Sequence, residues 1–393
     1  YNPLNHKTFR AMARLLLAFD SFKGSLTSAE VAEAFADGVR SIIPDVDIVT
    51  TPISDGGEGL VETLIPCLNG EYRTTRVSDP IGRPIEAKYG IIDKGHTAII
   101  EMAAASGLPL LAPEERNPLI TTTYGTGELI AEALRGGARR ILLGLGGSAT
   151  NDGGVGMLRA LGFRFLDANQ TEVTGGGATL RHIAKIDCSN ANKALYESEF
   201  IVASDVRNPL YGPEGAAYIF APQKGAKSDE EVALLDEGLR HYATILERHT
   251  NRSIAQIEGA GAAGGVGAGA VALLGAEIRS GADVVLDAIG FDHIVQGCDM
   301  VVTGEGRIDH QTLMGKAPGG VLRRAKRYNI PTIAVGGGVA RCAALDSSGF
   351  DAILPIADSR IALQVAMHPD TTRANLRATA EIVARMLLNI KMG

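Results

Sequence analysis

Acidic residues recur at one kind of position in this chain, just after short apolar runs that are predicted to be strands. These residues are Asp20, Asp55, Asp152, Asp205 and Glu305. Because the carboxyl ends of parallel strands meet at one edge of a sheet, such carboxylates can converge there. Converging carboxylates are what Mg²⁺ coordination and the deprotonation of a hydroxyl group require. Each of them taken alone is also explained as an ordinary helix cap.

Cationic residues lie in the same class of loop as these acids, namely Lys23, Arg207, Arg307 and Lys316. Lys and Arg side chains can neutralise phosphate and carboxylate groups, so these residues are the candidates for holding an anionic substrate. The alternative for each of these cations is a solvated surface side chain.

A glycine-rich loop at residues 144–149 (GLGGSA) follows the apolar run 141–143 and matches the pattern G-x-G-x-x-A. Asp167 follows at about the spacing of the ribose-binding acid in a dinucleotide fold, so the pattern alone predicts a nicotinamide or flavin enzyme. The carboxylate of Asp152 would repel a bare pyrophosphate there, unless a metal ion bridges the two. The loop is therefore also a candidate phosphate cradle of another kind, or a site of close strand–helix packing. A P-loop is absent, because Gly315-Lys316-Ala317 lacks the Ser or Thr.

These loops belong to a repeated alternation of apolar run, Gly- or Asp-bearing loop and helical segment. Strands are predicted at residues 15–19, 46–53, 141–143, 200–203, 300–302 and 332–335. A capping box at residues 27–30 (TSAE) predicts the start of the first helix. The Gly-rich segments 303–306 and 336–338 are predicted to be loops, and the Gly/Ala tract 259–270 either an anion-binding loop or a close helix crossing. Such alternation is typical of α/β domains with largely parallel sheets.

Two breaks suggest how the domains are arranged along the chain. One is the turn-rich segment 79–84 and the other lies near residues 280–290. We therefore expect residues 12–80 and 285–393 to form one discontinuous, doubly wound domain, a Rossmann/flavodoxin-like three-layer α/β fold. Residues 81–284 are expected to form a second α/β domain inserted into it, and residues 1–11 an added extension outside the fold.

Composition excludes several classes of protein. The chain has 393 residues, 45% apolar and 21% charged, with a net charge of −7, which excludes disordered and fibrous proteins. The charge also lacks the basic excess of a nucleic-acid binder. No run is apolar enough to span a membrane, and no secretory signal is expected. The four cysteines form no C-x-x-C pair, which indicates free thiols in a reducing cytoplasm and no zinc site.

Longer segments resemble one family, the type I glycerate kinases. The resemblance rests on residues 20–26 (DSFKGSL), 54–59 (SDGGEG), 146–154 (GGSATNDGG), 203–210 (ASDVRNPL) and 303–309 (TGEGRID). They occur in the order of that family and span residue 12 to about the C-terminus. The resemblance implies a kinase that uses ATP and Mg²⁺ to phosphorylate D-glycerate, with two α/β domains, one inserted in the other, and the active site between them. It further implies 2-phosphoglycerate as the product and a role in glyoxylate use and sugar-acid breakdown.

Roles for individual residues follow from the chemistry of phosphoryl transfer. Asp205 or Asp55 is expected to accept the hydroxyl proton, and Lys23 or Arg207 to bind the glycerate carboxylate. Mg²⁺ is assigned to Asp152 or Glu305. The further predicted substrate-binding residues are Asp20, Ser21 and Asn208, and the predicted nucleotide-binding residues are Gly146, Gly147, Ser148, Asn151 and Lys316. Two other functions remain open on the residues alone: an NAD(P)-dependent oxidoreductase that uses the 144–146 loop, and a non-catalytic ligand sensor with the same fold.

Overall fold

The computed structural model describes residues 13–56, 59–358 and 360–392, so the predicted extension at 1–11 and motif residues 57 and 58 lie outside the described residues. The strands are β1 (Arg14–Phe19), β2 (Asp47–Thr50), β3 (Glu71–Ser78), β4 (Pro84–Ile92), β5 (Thr97–Glu101), β6 (Arg140–Gly144), β7 (Arg164–Leu166), β8 (Lys185–Asp187), β9 (Glu199–Ala203), β10 (Glu277–Arg279), β11 (Met300–Ile308), β12 (Thr332–Val339) and β13 (Ala352–Pro355).

The α-helices are α1 (Ser28–Ile42), α2 (Leu60–Cys67), α3 (Ala103–Ser106), α4 (Tyr124–Arg135), α5 (Val155–Ala160), α6 (Ala216–Phe220), α7 (Asp229–Thr250), α8 (Ala262–Leu274), α9 (Gly281–Ala288), α10 (Phe291–Val295), α11 (Ala317–Arg327), α12 (Ala343–Asp346), α13 (Leu363–Ala366) and α14 (Pro369–Met392). Short 3-10 turns occur at Asp93–Gly95, Leu108–Leu110, Pro113–Glu115, Gly177–His182, Lys193–Glu197, Pro222–Lys224 and His310–Leu313. The predicted capping box is present at the start of α1, where Thr27 and Glu30 bond reciprocally.

The chain forms two compact units, the first running to Ser54 and resuming at Leu286, the second being Asp55–Val285. The sheet of the first unit has the order β13-β12-β11-β1-β2 and is parallel throughout. Counted along this unit alone, the order is that of the flavodoxin-like doubly wound fold. The order reverses between β1 and β11, which makes their carboxyl ends the expected ligand-binding edge.

Strand β1 shows why this unit has three layers. Leu15, Leu17 and Phe19 pack against α1 and α14 in one apolar core. Leu16 and Ala18, which alternate to the opposite face, are also fully buried. A strand that is covered on both faces needs apolar residues at every position, which is why β1 reads as an unbroken apolar run.

The Gly-rich segments after these strands are not loops, contrary to the sequence-based prediction. Strand β11 continues to Ile308 and β12 to Val339, and the two extensions pair with each other in parallel. A Cβ at Gly304 would lie 2.1 Å from the carbonyl oxygen of Val335, so glycine is needed for this close approach. The glycines therefore permit strand pairing, and Glu305 lies within a strand.

The sheet of the second unit has the order β10-β9-β6-β5-β4-β3. Strands β10, β9, β6 and β5 are mutually parallel, whereas β4 and β3 continue the sheet antiparallel. Helix α8, which contains most of the Gly/Ala tract, is almost entirely buried. A Cβ at Gly269 would lie 2.5 Å from the carbonyl oxygen of Gly153, so α8 packs closely against the turn that precedes α5.

The first boundary between the units differs from the predicted one at residue 80. The turn at 79–84 joins β3 to β4 within one sheet, and the Asp79 carboxylate accepts hydrogen bonds from the backbone of Ile81 and Arg83. It is therefore a hairpin turn, not a linker, and α2 and β3 belong to the second unit. Helix α9 carries the chain across the second boundary, after Val285. No helix in the described part of the chain is both long and apolar enough to cross a membrane.

Candidate active site

In the first unit, the predicted residues Asp20, Ser21 and Lys23 follow β1 at the point where the strand order reverses. The Asp20 N–H donates to the carbonyl of Gly304 in the neighbouring β11 (2.9 Å), and the Ser21 N–H donates to Asp20 Oδ1 (2.6 Å). Lys23 is exposed and forms no ion pair with any residue that the structure describes. Its ammonium group is therefore available to an anionic ligand at this edge of the sheet.

Glu305 and Lys316, predicted as a metal ligand and a nucleotide-binding residue, form an ion pair in the first unit. Lys316 Nζ lies 3.1 Å from Glu305 Oε2, and Thr312 Oγ1 donates to Glu305 Oε1 (2.7 Å). Burial raises the pKa of Glu305, and these two contacts partly oppose the rise. Both carboxylate oxygens thus already have partners within this unit.

In the second unit, the two predicted loops leave the sheet side by side. Strands β6 and β9 are parallel neighbours, and the Leu145 N–H donates to the Ala203 carbonyl where they end (3.1 Å). The glycine-rich loop that follows β6 and the loop at 203–210 that follows β9 therefore begin at the same carboxyl edge. This is the edge at which open α/β sheets bind ligands.

Asp205 lies just after β9, at this carboxyl edge of the sheet, and is partly buried. Its Oδ1 accepts a hydrogen bond from the N–H of Gly281, the first residue of α9 (3.1 Å). Burial and the negative charge of Asp55 raise the pKa of Asp205 to about 7, although the Gly281 and Ser280 hydrogen bonds act against the rise. A carboxylate with this pKa is suited to taking up a proton near neutral pH.

Asp55 is held near Asp205 by a close backbone crossing. A Cβ at Gly281 would lie 1.8 Å from the carbonyl oxygen of Asp55, and a Cβ at Gly56 would lie 2.4 Å from the Cα of Gly281. Any side chain at either glycine would push the segment containing Asp55 away from α9. The structure thus brings the two predicted proton acceptors together.

Two predicted substrate-binding residues have local partners instead. Arg207 is exposed and its Nε lies 3.0 Å from Glu258 Oε1, so it pairs with that carboxylate and not with Asp205. The side-chain amide of Asn208 donates to the carbonyl oxygen of Glu214 (2.7 Å), which closes its own loop. These contacts stabilise the loop after β9.

The glycine-rich loop after β6 is tied down at several points. The Leu108 N–H donates to the Gly147 carbonyl (2.9 Å), and the Ala149 N–H donates to the Ser106 carbonyl (2.9 Å). Gly147 has a φ of +66°, a conformation that favours glycine. A loop fixed in this way is preorganised, as a phosphate cradle needs to be.

Lys224 is a residue of this loop region that the sequence analysis missed. It ends the 3-10 turn Pro222–Lys224 and is only 3% exposed. Its Nζ donates to Ser148 Oγ (2.8 Å) and to the Thr150 carbonyl (2.7 Å). Burial lowers the pKa of Lys224 to about 7, with the charge of Asp152 acting in the opposite direction. The only sequence signal is a Lys before Gly in a segment without a catalytic motif.

Asp152 does not fit its predicted role as a metal ligand. It is fully buried, and its two oxygens accept hydrogen bonds from the backbone of Thr123, Gly154 and Gly156 and from the Thr123 hydroxyl. Burial raises the pKa of Asp152, and these donors oppose the rise. With its lone pairs occupied, the carboxylate anchors the starts of α4 and α5. The described residues contain no group of three or more His, Cys, Asp or Glu that could hold a metal ion.

Asn151, predicted to bind the nucleotide, is fully buried next to Asp152. Among the residues that the structure describes, neither the oxygen nor the nitrogen of its side-chain amide has a hydrogen-bond partner, and the same is true of the Thr150 hydroxyl. Leaving a buried amide unpaired costs about 1–3 kcal/mol. An amide in this state is expected to bind either water or a ligand.

The dinucleotide interpretation of the 144–149 pattern fails in the structure. The helix that follows β6 starts only at Val155, too late to present its N-terminus to a pyrophosphate on the glycines. Asp167 lies in the tight turn after β7, where its carboxylate accepts hydrogen bonds from Asn169 and Thr171. Strand β7 lies with β8 in a separate two-stranded sheet, outside the six-stranded sheet that contains β6, so Asp167 is not at the edge where a ribose would lie.

Glu101 is a second residue that sequence reasoning missed. It ends β5, the neighbour of β6, and its Oε1 accepts a hydrogen bond from the Val61 N–H at the start of α2 (2.8 Å). Burial raises the pKa of Glu101, and the backbone donors of α2 oppose the rise. Glu101 follows an apolar run, as the other acids do, and this position is the sequence signal that could have identified it.

Comparison with known proteins gives one consistent result. The model of the glycerate kinase family matches residues 15–388. The chain is 44% identical to a glycerate kinase of Bacillus subtilis (strain 168) over 381 residues, 95% of this chain and 100% of the relative. It is 45% identical to a glycerate 2-kinase of Escherichia coli (strain K12) over 347 residues, 88% of this chain and 91% of the relative. A crystal structure from Salmonella typhimurium LT2, of a protein provisionally named glycerate kinase 2, matches with a TM-score of 0.86 at 42% identity, covering 97% of this chain and 100% of that one.

Proposed function

The chain belongs to the glycerate kinase family, and from that premise we propose that it transfers the γ-phosphoryl group of ATP to a hydroxyl of D-glycerate. The observation that carries the proposal is Asp205, a partly buried carboxylate with a pKa of about 7 at the carboxyl edge of a parallel sheet. It lies beside the glycine-rich loop that follows the neighbouring strand. A proton acceptor next to a candidate phosphate cradle is the arrangement that kinase chemistry needs.

The proposed reaction is a single displacement at phosphorus. The glycerate hydroxyl oxygen forms a bond to the γ-phosphorus as the bond between that phosphorus and the ADP oxygen breaks. The hydroxyl proton passes to Asp205, which releases it to water after product leaves. Asp55 keeps the pKa of Asp205 high enough for this transfer at neutral pH, so we assign it a supporting role.

The phosphates of ATP are assigned to Gly146, Gly147 and Ser148. The two glycines allow close approach of a phosphate to the backbone, and the Ser148 hydroxyl supplies a donor. In the other unit, Lys23 is assigned to an anionic group of a substrate, because its charge is not neutralised by any described residue. Lys316 remains a proposed nucleotide contact, with its position set by Glu305.

Mg²⁺ is expected to enter as the complex with ATP. In such complexes most ligands of the ion are phosphate oxygens and water, with one or two carboxylates from the protein. The buried and saturated carboxylate of Asp152 does not fit as one of them, so no step is assigned to the ion here. Omitting Mg²⁺ from the assay and adding EDTA to chelate residual metal tests whether turnover needs the metal.

We further propose 2-phosphoglycerate as the product, within the breakdown of glyoxylate and sugar acids in the cytoplasm. Support for the position comes from the glycerate 2-kinase of Escherichia coli, which is 45% identical. The four unpaired cysteines are consistent with a reducing compartment.

A coupled assay tests the whole proposal. The protein is incubated with D-glycerate and MgATP, and ADP release is followed. Adding enolase alone then distinguishes the products, because enolase consumes 2-phosphoglycerate directly and 3-phosphoglycerate only after a mutase is added. Absence of ADP release with D-glycerate would overturn the kinase assignment. NADH formation from NAD⁺ in the same mixture would instead favour an oxidoreductase.

A further inference from the structure

Lys224 has an environment that is unusual for lysine. It is 3% exposed, and no carboxylate lies within ion-pair distance among the residues that the structure describes. Its ammonium group is held instead by two neutral oxygens, Ser148 Oγ and the carbonyl of Thr150. Burying a charge with only neutral partners is costly, so such a group persists where it serves a purpose.

The backbone around Lys224 is built to hold it in place. The following residue, Gly225, has a φ of +101°, and a Cβ there would lie 2.2 Å from the carbonyl oxygen of Arg116. The turn that carries Lys224 is therefore closely packed and can accept only glycine at its end. The ammonium group is consequently delivered to the loop after β6 from a fixed direction.

The hydrogen bond to Ser148 determines what that hydroxyl can do. A serine hydroxyl has one proton to donate and two lone pairs to accept with. When Lys224 is protonated its ammonium group can only donate, so it occupies a lone pair of Ser148 Oγ and leaves the hydroxyl proton free to point elsewhere. Ser148 thereby becomes a polarised donor, which suits an anionic oxygen.

The residues that follow Ser148 carry polar side-chain groups that are not used in hydrogen bonds with other described residues. Asn151 is fully buried, and neither its two amide atoms nor the Thr150 hydroxyl has a hydrogen-bond partner in the described part of the chain. The Thr150 carbonyl, held by Lys224, fixes the backbone from which both side chains project. These unpaired groups leave this part of the loop with unused hydrogen-bonding capacity close to Ser148.

We propose that Lys224 is a positioning residue for ATP, which holds Ser148 and the Thr150–Asn151 backbone so that their polar groups bind a phosphate oxygen. The inference rests on the proposed kinase function and deepens it. Two of the three donors of the Lys224 ammonium are directed to Ser148 and Thr150 within the protein, and we assign Lys224 its role through these two contacts. Its effect is therefore on nucleotide binding, not on the attacking hydroxyl.

The test separates nucleotide binding from glycerate binding. Lys224→Met keeps most of the length of the side chain and removes the charge, while Lys227→Met removes an exposed lysine from the same segment as a matched control. KM for ATP should rise about tenfold or more in Lys224→Met, with KM for glycerate within about twofold of wild type. The control should change neither value.

Ser148→Ala is a second variant, for the case that Lys224→Met does not fold. It removes only a hydroxyl group and is therefore expected to fold. It should raise KM for ATP, and combining it with Lys224→Met should add little, because the two residues act through one contact. An unchanged KM for ATP in either folded variant, or a rise confined to KM for glycerate, would overturn the role of Lys224. Failure of the wild-type protein to release ADP would instead reject the proposed function together with the inference built on it.

Discussion

Replacing Asp205 by Asn should lower activity and raise stability at alkaline pH, because one carboxylate carries both effects. The pKa of Asp205 is raised from 3.8 to about 7, chiefly by burial and by the charge of Asp55. Between these two pH values the folded protein holds a proton that the unfolded chain has released. The stabilisation linked to this group is therefore complete at acid pH and is lost as the pH rises toward about 7.

The size of the effect follows from the pKa difference. At about 1.4 kcal/mol per pH unit, the difference between 3.8 and about 7 corresponds to a cost of up to about 4 kcal/mol for ionising Asp205 in the folded state. Water reaches this partly buried side chain, so 4 kcal/mol is an upper limit. The Asn side chain of Asp205→Asn stays neutral at every pH. The free energy of unfolding of the variant should therefore increase relative to that of the wild type between pH 4 and 7 and keep this advantage above pH 7.

Two measurements on the same proteins check this reasoning. Urea unfolding of the wild type and of Asp205→Asn is followed from pH 4.5 to 8.5, and the difference in unfolding free energy should grow with pH. Turnover should fall about a hundredfold or more in the variant, and the wild-type rate should rise with pH through about 7 as the carboxylate loses its proton. A stability difference that does not change with pH would refute the raised pKa, and normal turnover in the variant would refute the role as proton acceptor.

Three further substitutions test other parts of the site. Lys23→Ala should reduce turnover about a hundredfold with a nearly unchanged melting temperature, because the side chain is exposed and its loss removes a charge partner worth about 2.7 kcal/mol or more; near-normal turnover would reject the role. Gly281→Ala should destabilise the protein by about 1–3 kcal/mol, because its Cβ would meet the carbonyl oxygen of Asp55, and thermal unfolding measures this. Asp152→Ala should destabilise it by about 3 kcal/mol or more by orphaning the buried donors of Thr123, and a variant as stable as wild type would contradict the anchoring role.

Local patterns in the sequence were sufficient for much of the fold. Apolar runs predicted β1, β6 and β9, and the capping box predicted the start of α1, because these signals depend on neighbours within a few residues. The alternation of strand, loop and helix likewise predicted parallel α/β sheets. The sequence predicted that Asp55 and Asp205 both follow strands, but it did not predict that the two side chains lie close together.

Other features depend on contacts between distant segments, which no local pattern encodes. The glycines of β11 and β12 were interpreted as loops, yet they allow two strands to approach closely, and only the pairing partner distinguishes these cases. The turn at 79–84 has the composition of a linker, but its place within one sheet makes it a hairpin.

The candidate site likewise combines features that can be predicted from the sequence with features that depend on distant contacts. The sequence by itself determined which residue types were available: acids after strands, a glycine-rich loop and a cation at Lys23. The tertiary structure alone decided their roles. It buried Asp152 among donors that occupy its lone pairs, and it brought Lys224 from another segment to Ser148. The physical reason is that burial and hydrogen-bond partners set the charge state and free lone pairs of a group, and both arise only when remote parts of the chain pack together.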